Sequence, residues 1–443
     1  MNLPAETSAS VMGEEVKRRH ILPKALVIGL VAGLLASAFR VSLQWSELHR
    51  IYWLQRLPRG QSLALSLACG GFGSGLGLWL VRRFAPEAAG SGIPDLKSVV
   101  MGEKELHWKK LLPVKFFAGL AGIGGGLALG REGPTIQMGG ATGLMVSTWF
   151  RVRRGEGERR ALIGAGAGAG LAAAFNAPLA GVVFVMEELQ GGFTPVIFVA
   201  AFLASVVADV VCRVLTGDTP VFALHGIAAP ALSSLPLALV LGGLAGLGGI
   251  LFNRSLLFSL DQFDRLRRWP PFVVGALAGG VVGVAAWIYP AVSGSGSVLA
   301  ERALAGEIAV GGVLIFIAAR FVLTMVSYGS GAAGGIFAPL LVIGALGGLA
   351  VGRTVHYFAP VWAAQPEIFA VLGMGALLTA IVRAPLTGIV LMIELTGKYD
   401  FMLPLLVSCF AAYGVAEALK DEPIYEALRE RTKRRAEAAV HHR

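Results

Sequence analysis

The chain has 443 residues, 55% of them hydrophobic and only 15% charged, and a formal net charge of +10. Charge this sparse, against about 25% in ordinary soluble domains, excludes a water-soluble globule, and the apolar segments are too long for the alternating strands of a β-barrel. The basic residues sit at the ends and in short connections rather than in a patch interleaved with aromatics, which excludes nucleic-acid binding and matches the positive-inside bias of a polytopic, all-α membrane protein.

Residues 1–20 are polar, end in Lys17-Arg18-Arg19-His20, and read as a cytoplasmic N-terminal segment. The apolar run that follows, 25–36, closes on Ala36-Ser37-Ala38 and so resembles a secretory signal with its cleavage site. Apolar segments never stop after it, however, so it reads as the first membrane helix. Further apolar segments lie near 62–81, 113–129, 134–150, 161–186, 194–216, 235–258, 272–290, 308–327, 335–351, 367–397 and 402–419. Their lengths scatter around the roughly 20 residues needed to span a bilayer, which implies long tilted helices and short half-helices. Gly contributes 60 residues, about twice its usual share, as close helix packing and broken helices require.

Basic connections contain Arg151, Arg153, Arg154, Arg159 and Arg160, then Arg265, Arg267 and Arg268; the tail, 429–443, carries Arg429, Arg431, Lys433, Arg434 and Arg435. These place both termini in the cytoplasm of a multi-pass protein of a bacterial inner membrane. The tail is too short for an added soluble domain. Cys69, Cys212 and Cys409 have no metal spacing and read as small apolar packing residues.

An internal repeat is visible. Ala173-Ala174-Phe175-Asn176-Ala177-Pro178-Leu179-Ala180-Gly181-Val182-Val183 aligns with Ala380-Ile381-Val382-Arg383-Ala384-Pro385-Leu386-Thr387-Gly388-Ile389-Val390 at an offset of 207, which also brings Glu187 onto Glu394 and Gly166-x-Gly168-Ala169 onto Gly373-x-Gly375-Ala376. Upstream, Gly130-x-x-x-Pro134 meets Gly335-x-x-x-Pro339 at an offset of 205. The halves, about 21–216 and 231–419, therefore share one order of elements. Repeats of this kind build a site at their interface from discontinuous helices whose N-termini face an anion. With both termini on one side, two halves of odd crossing number are inverted relative to each other.

Four stretches carry the chemistry. In Leu129-Gly130-Arg131-Glu132-Gly133-Pro134 a carboxylate stands at a helix start, where free N–H groups make an anion site; Glu132 reads as a gate that occupies an anion's place. Gly90-Ser91-Gly92-Ile93-Pro94 opens a short helix with a hydroxyl. Gly334-Gly335-Ile336-Phe337-Ala338-Pro339 is an apolar helix start with bare N–H groups. Pro423-Ile424-Tyr425 places a Tyr just after the last apolar segment. Together they describe an anion site without a full cationic ligand. Helix N-termini supply about half a positive charge each, enough to attract a small anion and weak enough to release it.

In order and spacing these four stretches resemble the CLC family of chloride channels and chloride/proton exchangers, over about 22–428. The resemblance implies an inverted-repeat helical subunit with its own pore, spanning 21–428 and assembled as a homodimer, and a chloride/proton antiporter. It assigns hydroxyls of Ser91 and Tyr425 and the backbone of Gly133, Ile336 and Phe337 to chloride, Glu132 to the outer gate, and Glu188 to the inner proton acceptor. Glu188 has Leu395 as its repeat counterpart, so its carboxylate belongs to one half alone. Channel members of the family tend to lack an acid there, which favours exchange over a passive chloride channel; Ser91, Pro134 and Tyr425 favour chloride over other anions.

Arg131 neighbours Glu132 and is expected to orient the loop or draw anions, while Lys115, Arg320 and Arg383 read as structural or snorkelling cations. Gly329-x-Gly331-x-x-Gly334 fits a dinucleotide fingerprint by spacing, but no strand precedes it and no acid follows at the required distance, so no cofactor is expected. The seven histidines (His20, His49, His107, His225, His356, His441 and His442) are scattered. No metal site and no enzyme active site is expected.

Overall fold

A computed structural model describes residues 5–153, 157–218, 221–222, 224, 231–363 and 365–441. Arg154, His225 and His442, named above, lie outside them. Among the described residues the chain is helical, without β-strands, and eight helices are long and apolar enough to cross a membrane.

The first half supplies α1 (Ala5–Arg56), α2 (Arg59–Phe84), α3 (Ile93–Val100), α4 (Trp108–Gly125), α5 (Glu132–Trp149), α6 (Gly157–Phe175), α7 (Pro178–Phe184), continued to Leu189 by a π-helical turn, and α8 (Pro195–Thr216). The second half supplies α9 (Leu235–Arg265), α10 (Pro271–Ile288), α11 (Ser297–Leu304), α12 (Val310–Gly329), α13 (Phe337–Phe358), α14 (Glu367–Val382), α15 (Pro385–Thr396) and α16 (Met402–Ala418), and α17 (Ile424–His441) closes the chain. The halves match element for element, and their pairings repeat: α5 packs on α6 as α13 does on α14, and α1 on α8 as α9 does on α16. Small residues make this possible. A Cβ on Gly139 of α5 would stand 2.1 Å from the Gly166 carbonyl oxygen, and one on Gly344 of α13 would stand 2.5 Å from that of Gly373.

Two expected segments are divided. The run 161–186 splits into α6 and α7, and 367–397 splits into α14 and α15. The reason is the same in both: Pro178 and Pro385 disfavour helical backbone in the residue before them. Asn176 (φ 53°) and Arg383 (φ 67°) end the preceding helices in the left-handed conformation. Conversely, α1 extends far beyond 25–36, from Ala5 to Arg56 and through residue 20 without a break, because hydropathy marks only the apolar middle of a helix. Helix α17 likewise runs unbroken through 428–429.

The halves hold each other reciprocally. The N–H groups of Leu386 and Thr387 and the Thr387 hydroxyl donate to the Glu187 carboxylate at 3.0, 2.8 and 2.7 Å, and those of Leu179 and Ala180 donate to Glu394 at 3.0 and 2.7 Å. Each half caps the other's broken helix, α15 from the end of α7 and α7 from α15. At the centre Gly130 and Gly335 exchange two backbone hydrogen bonds of 2.7 and 2.8 Å. These are the contacts of a local two-fold relating the inverted halves.

Candidate functional site

Three helix starts converge at that centre, knotted by their backbones. Gly90 donates to the Ala332 carbonyl at 3.1 Å and accepts from Gly334 at 3.0 Å, beside the Gly130–Gly335 pair. The loop of Ser91 is further held by Lys115 of α4, fully buried, whose ammonium donates to the carbonyls of Ala88 (2.9 Å) and Gly90 (2.7 Å). Its repeat counterpart is Arg320 of α12, which donates to Val292 (2.9 Å), Gly294 (3.0 Å) and Ser295 (3.0 Å) in the matching loop before α11. Both cations are structural, and neither snorkels. Gly92, at φ +77°, has the Gln137 side chain where its Cβ would be, and Gln137 itself donates to the Glu87 carbonyl at 2.8 Å.

The sequence-expected residues surround this knot. Gly133 lies against Ser91 and Gly335: a Cβ there would approach Ser91 Cβ to 2.8 Å and Gly335 Cα to 3.0 Å. Ser91 is fully buried, and its own N–H donates to the Tyr328 hydroxyl at 3.5 Å. Ile336 precedes α13 and Phe337 begins it, both fully buried. Phe337 stacks on Tyr425 of α17 at 6.3 Å between ring centroids and meets Phe184 of α7 edge-on at 5.9 Å. The Tyr425 hydroxyl is buried and has no hydrogen-bond partner among the described residues. A buried donor left unpaired costs about 1–3 kcal/mol, and a small anion would relieve it.

Glu132 opens α5 and is buried. Its carboxylate turns across the two-fold to the start of α13, where the Ala338 N–H donates to Oε2 at 3.3 Å; the same oxygen lies where a Gly130 side chain would stand. A carboxyl group thus sits against a first-turn amide of the opposite half's helix. Arg131 is 4.0 Å from Glu132 through Nε and donates to the Ala174 carbonyl at 3.3 Å.

Glu188 belongs to the π-helical turn after α7. Glu187 goes out to α15 and Glu188 in toward α3. Lys97 of α3 donates to Glu188 Oε1 at 2.9 Å and stands 3.5 Å from Glu426 Oε2 of α17. Arg429 pairs with Glu426 and donates to both oxygens of Glu103 at 2.7 Å. Sequence reading missed Tyr328 and Lys97. No periodicity marks either, since their partners lie 237 and 91 residues away. Among the described residues no cluster of His, Cys, Asp and Glu could hold a metal ion.

The profile of the voltage-gated chloride channel family matches residues 73–417. The H(+)/Cl(-) exchange transporter ClcA of Vibrio parahaemolyticus is 40% identical over 423 residues, covering 93% of this chain and 90% of the relative, and that of Yersinia pseudotuberculosis is 39% identical over 426 residues, covering 95% and 89%. The crystal structure of a slow cyanobacterial Cl-/H+ antiporter superposes with a TM-score of 0.88 at 37% identity, covering 93% of this chain and 97% of that one. A eukaryotic CLC transporter shares the fold at a TM-score of 0.78 and 22% identity, over 92% of this chain and 73% of that one. A family profile that runs across both halves of the repeat, with relatives aligned along nearly the whole length, makes this integral membrane chain a member of the CLC family.

Proposed function

We propose that the protein exchanges chloride for protons through a pore in each subunit of a homodimer. Chloride is held by the hydroxyls of Ser91 and Tyr425 and by the backbone of Gly133, Ile336 and Phe337. Glu132 is the outer gate and Glu188 the inner proton acceptor. The reading is supported by exchange transporters at 40% identity over most of the chain. The observation that carries it is the Glu132 carboxylate accepting from the Ala338 N–H at the start of α13. Ionised, that carboxylate competes with chloride for a helix N-terminus; protonated, it loses the attraction and leaves. Proton and anion occupancy are thereby tied to one side chain.

The fluxes run on separate inner routes. Glu188 takes protons from the cytoplasmic face, while chloride passes between Ser91 and Tyr425. The test reconstitutes the protein in chloride-loaded liposomes, imposes a chloride gradient and records external pH. We expect uphill proton movement, lost in Glu188→Ala while chloride efflux survives. Chloride efflux without proton movement in the unaltered protein would make it a channel and overturn the exchange reading.

A further inference from the structure

One charged side chain touches both inner routes. Lys97 lies on α3 six residues after Ser91, about 9 Å along a helical path, and its ammonium is shared between two carboxylates, Glu188 Oε1 at 2.9 Å and Glu426 Oε2 at 3.5 Å. Glu426 follows Tyr425 on α17, and α17 packs directly on α3. The elements that carry the two hydroxyls of the anion site are therefore joined through the same ammonium that pairs with the proton acceptor. Resting on the exchange reading above, we propose that Lys97 is a positioning residue that couples the two routes: the charge on Glu188 decides whether Lys97 is held away from Glu426 or docks on it, and so sets how tightly α3 and α17 close Ser91 against Tyr425.

The charged and titratable groups facing Glu188 are few. Lys97 comes from α3, Glu426 and Tyr425 from α17, and Glu187 from its own turn. The Glu187 carboxylate already accepts three hydrogen bonds from α15 and does not compete for Lys97. Glu426, outside the membrane-spanning helices, is kept below the ordinary carboxylate range by its hydrogen bond from Arg429, so it is a standing anion at neutral pH. With Glu188 ionised, Lys97 makes its short bond there and leaves α17 at the longer distance. When a proton from the cytoplasmic face neutralises Glu188, Lys97 loses that attraction and moves onto Glu426. Helices α3 and α17 draw together, and the chloride route is narrow while the proton is loaded. Passing the proton on toward Glu132 restores the first arrangement. The arrangement keeps the chloride route closed while Glu188 holds its proton and opens it once the proton has passed on.

The test measures the ratio of chloride to proton flux in liposomes for the full chain and three variants. Lys97→Met removes the charge and keeps most of the stem, Glu426→Gln removes the second partner, and Lys97→Arg keeps the cation. The expected result is a ratio at least doubled in Lys97→Met and in Glu426→Gln and unchanged in Lys97→Arg, with chloride flux retained. A purely structural role would lower both fluxes together at constant ratio; that outcome in both charge-removing variants overturns the proposal. Should Lys97→Met fail to fold, Glu426→Gln, which leaves Lys97 in place, decides alone. Absence of proton flux in the unaltered protein is a different failure, that of the exchange reading itself.

Discussion

Gly133 has no room for a side chain: the nearest atoms to a Cβ there are Ser91 Cβ at 2.8 Å, Ser91 Cα at 2.9 Å and Gly335 Cα at 3.0 Å. Two of the three are backbone, on loops already fixed by the hydrogen bonds of Gly90 and Gly130 and by Lys115, so no rotamer change relieves the contact. Gly133→Ala should cost about 1–3 kcal/mol in stability, the usual cost of overpacking. It should also weaken chloride binding at least tenfold, since it pushes apart Ser91 and the start of α13. Calorimetric titration with chloride and thermal unfolding in detergent check the two effects, and binding unchanged in Gly133→Ala would mean that Gly133 lies outside the anion's surroundings. Glu132 and Ser91 were legible because each is unusual beside a Gly-rich helix start, and Tyr425, just after the last apolar segment, through the resemblance of the four stretches taken together. Lys97 and Tyr328 were not, because each looks ordinary in its own segment and gains its meaning only from an element far away in the chain.

Broken helices are this fold's working elements, and each break is repaired by the other half. Helices α7 and α15 begin at Pro178 and Pro385 and receive carboxylate caps from Glu394 and Glu187. The offset of 207 that pairs the two glutamates was readable in the sequence; that each caps the other's helix was not, because alignment gives equivalence and not contact. Loss of an N-terminal cap costs about 0.5–2 kcal/mol. Glu187→Ala and Glu394→Ala should each destabilise the protein by about that amount. The double variant should cost less than the two together, because the helix pair shares both caps and neighbours do not add. Thermal unfolding of the three proteins measures this, and strict additivity would show the caps to be independent. Hydropathy alone merged each pair of helices into one segment, since a break marked by Asn176 or Arg383 costs a hydropathy window almost nothing.

Across the whole molecule, ion pairs and close contacts gather the polar ends of many elements at one end of the bundle. Lys24 of α1 pairs with Glu158 of α6, which lies within the basic stretch 151–160. Arg160 reaches toward Gly102, whose loop also holds the Glu103 partner of Arg429 on α17. Further along α17, Arg431 pairs with Asp261 and Asp264 of α9, beside Arg265, Arg267 and Arg268. Lys24 of α1, the loop 101–107, Glu158 and Arg160 at the start of α6, the end of α9 and the segment 429–431 of α17 thus share one end. Both basic connections and the basic part of α17 lie there together. The positive-inside rule assigns such an end to the cytoplasm, and a cytoplasmic approach is what the proton uptake proposed for Glu188 needs, since Lys97, Glu426 and Arg429 link that residue to this same end. A fluorescent protein fused to either terminus should therefore fold and fluoresce in cells, and an alkaline phosphatase fused to either should stay inactive. Phosphatase activity at one terminus only would break the shared end. Activity at both would invert the molecule in the membrane and place the Glu188 entrance on the outer side, so that protons would be drawn from outside and the gate at Glu132 would face the cell interior.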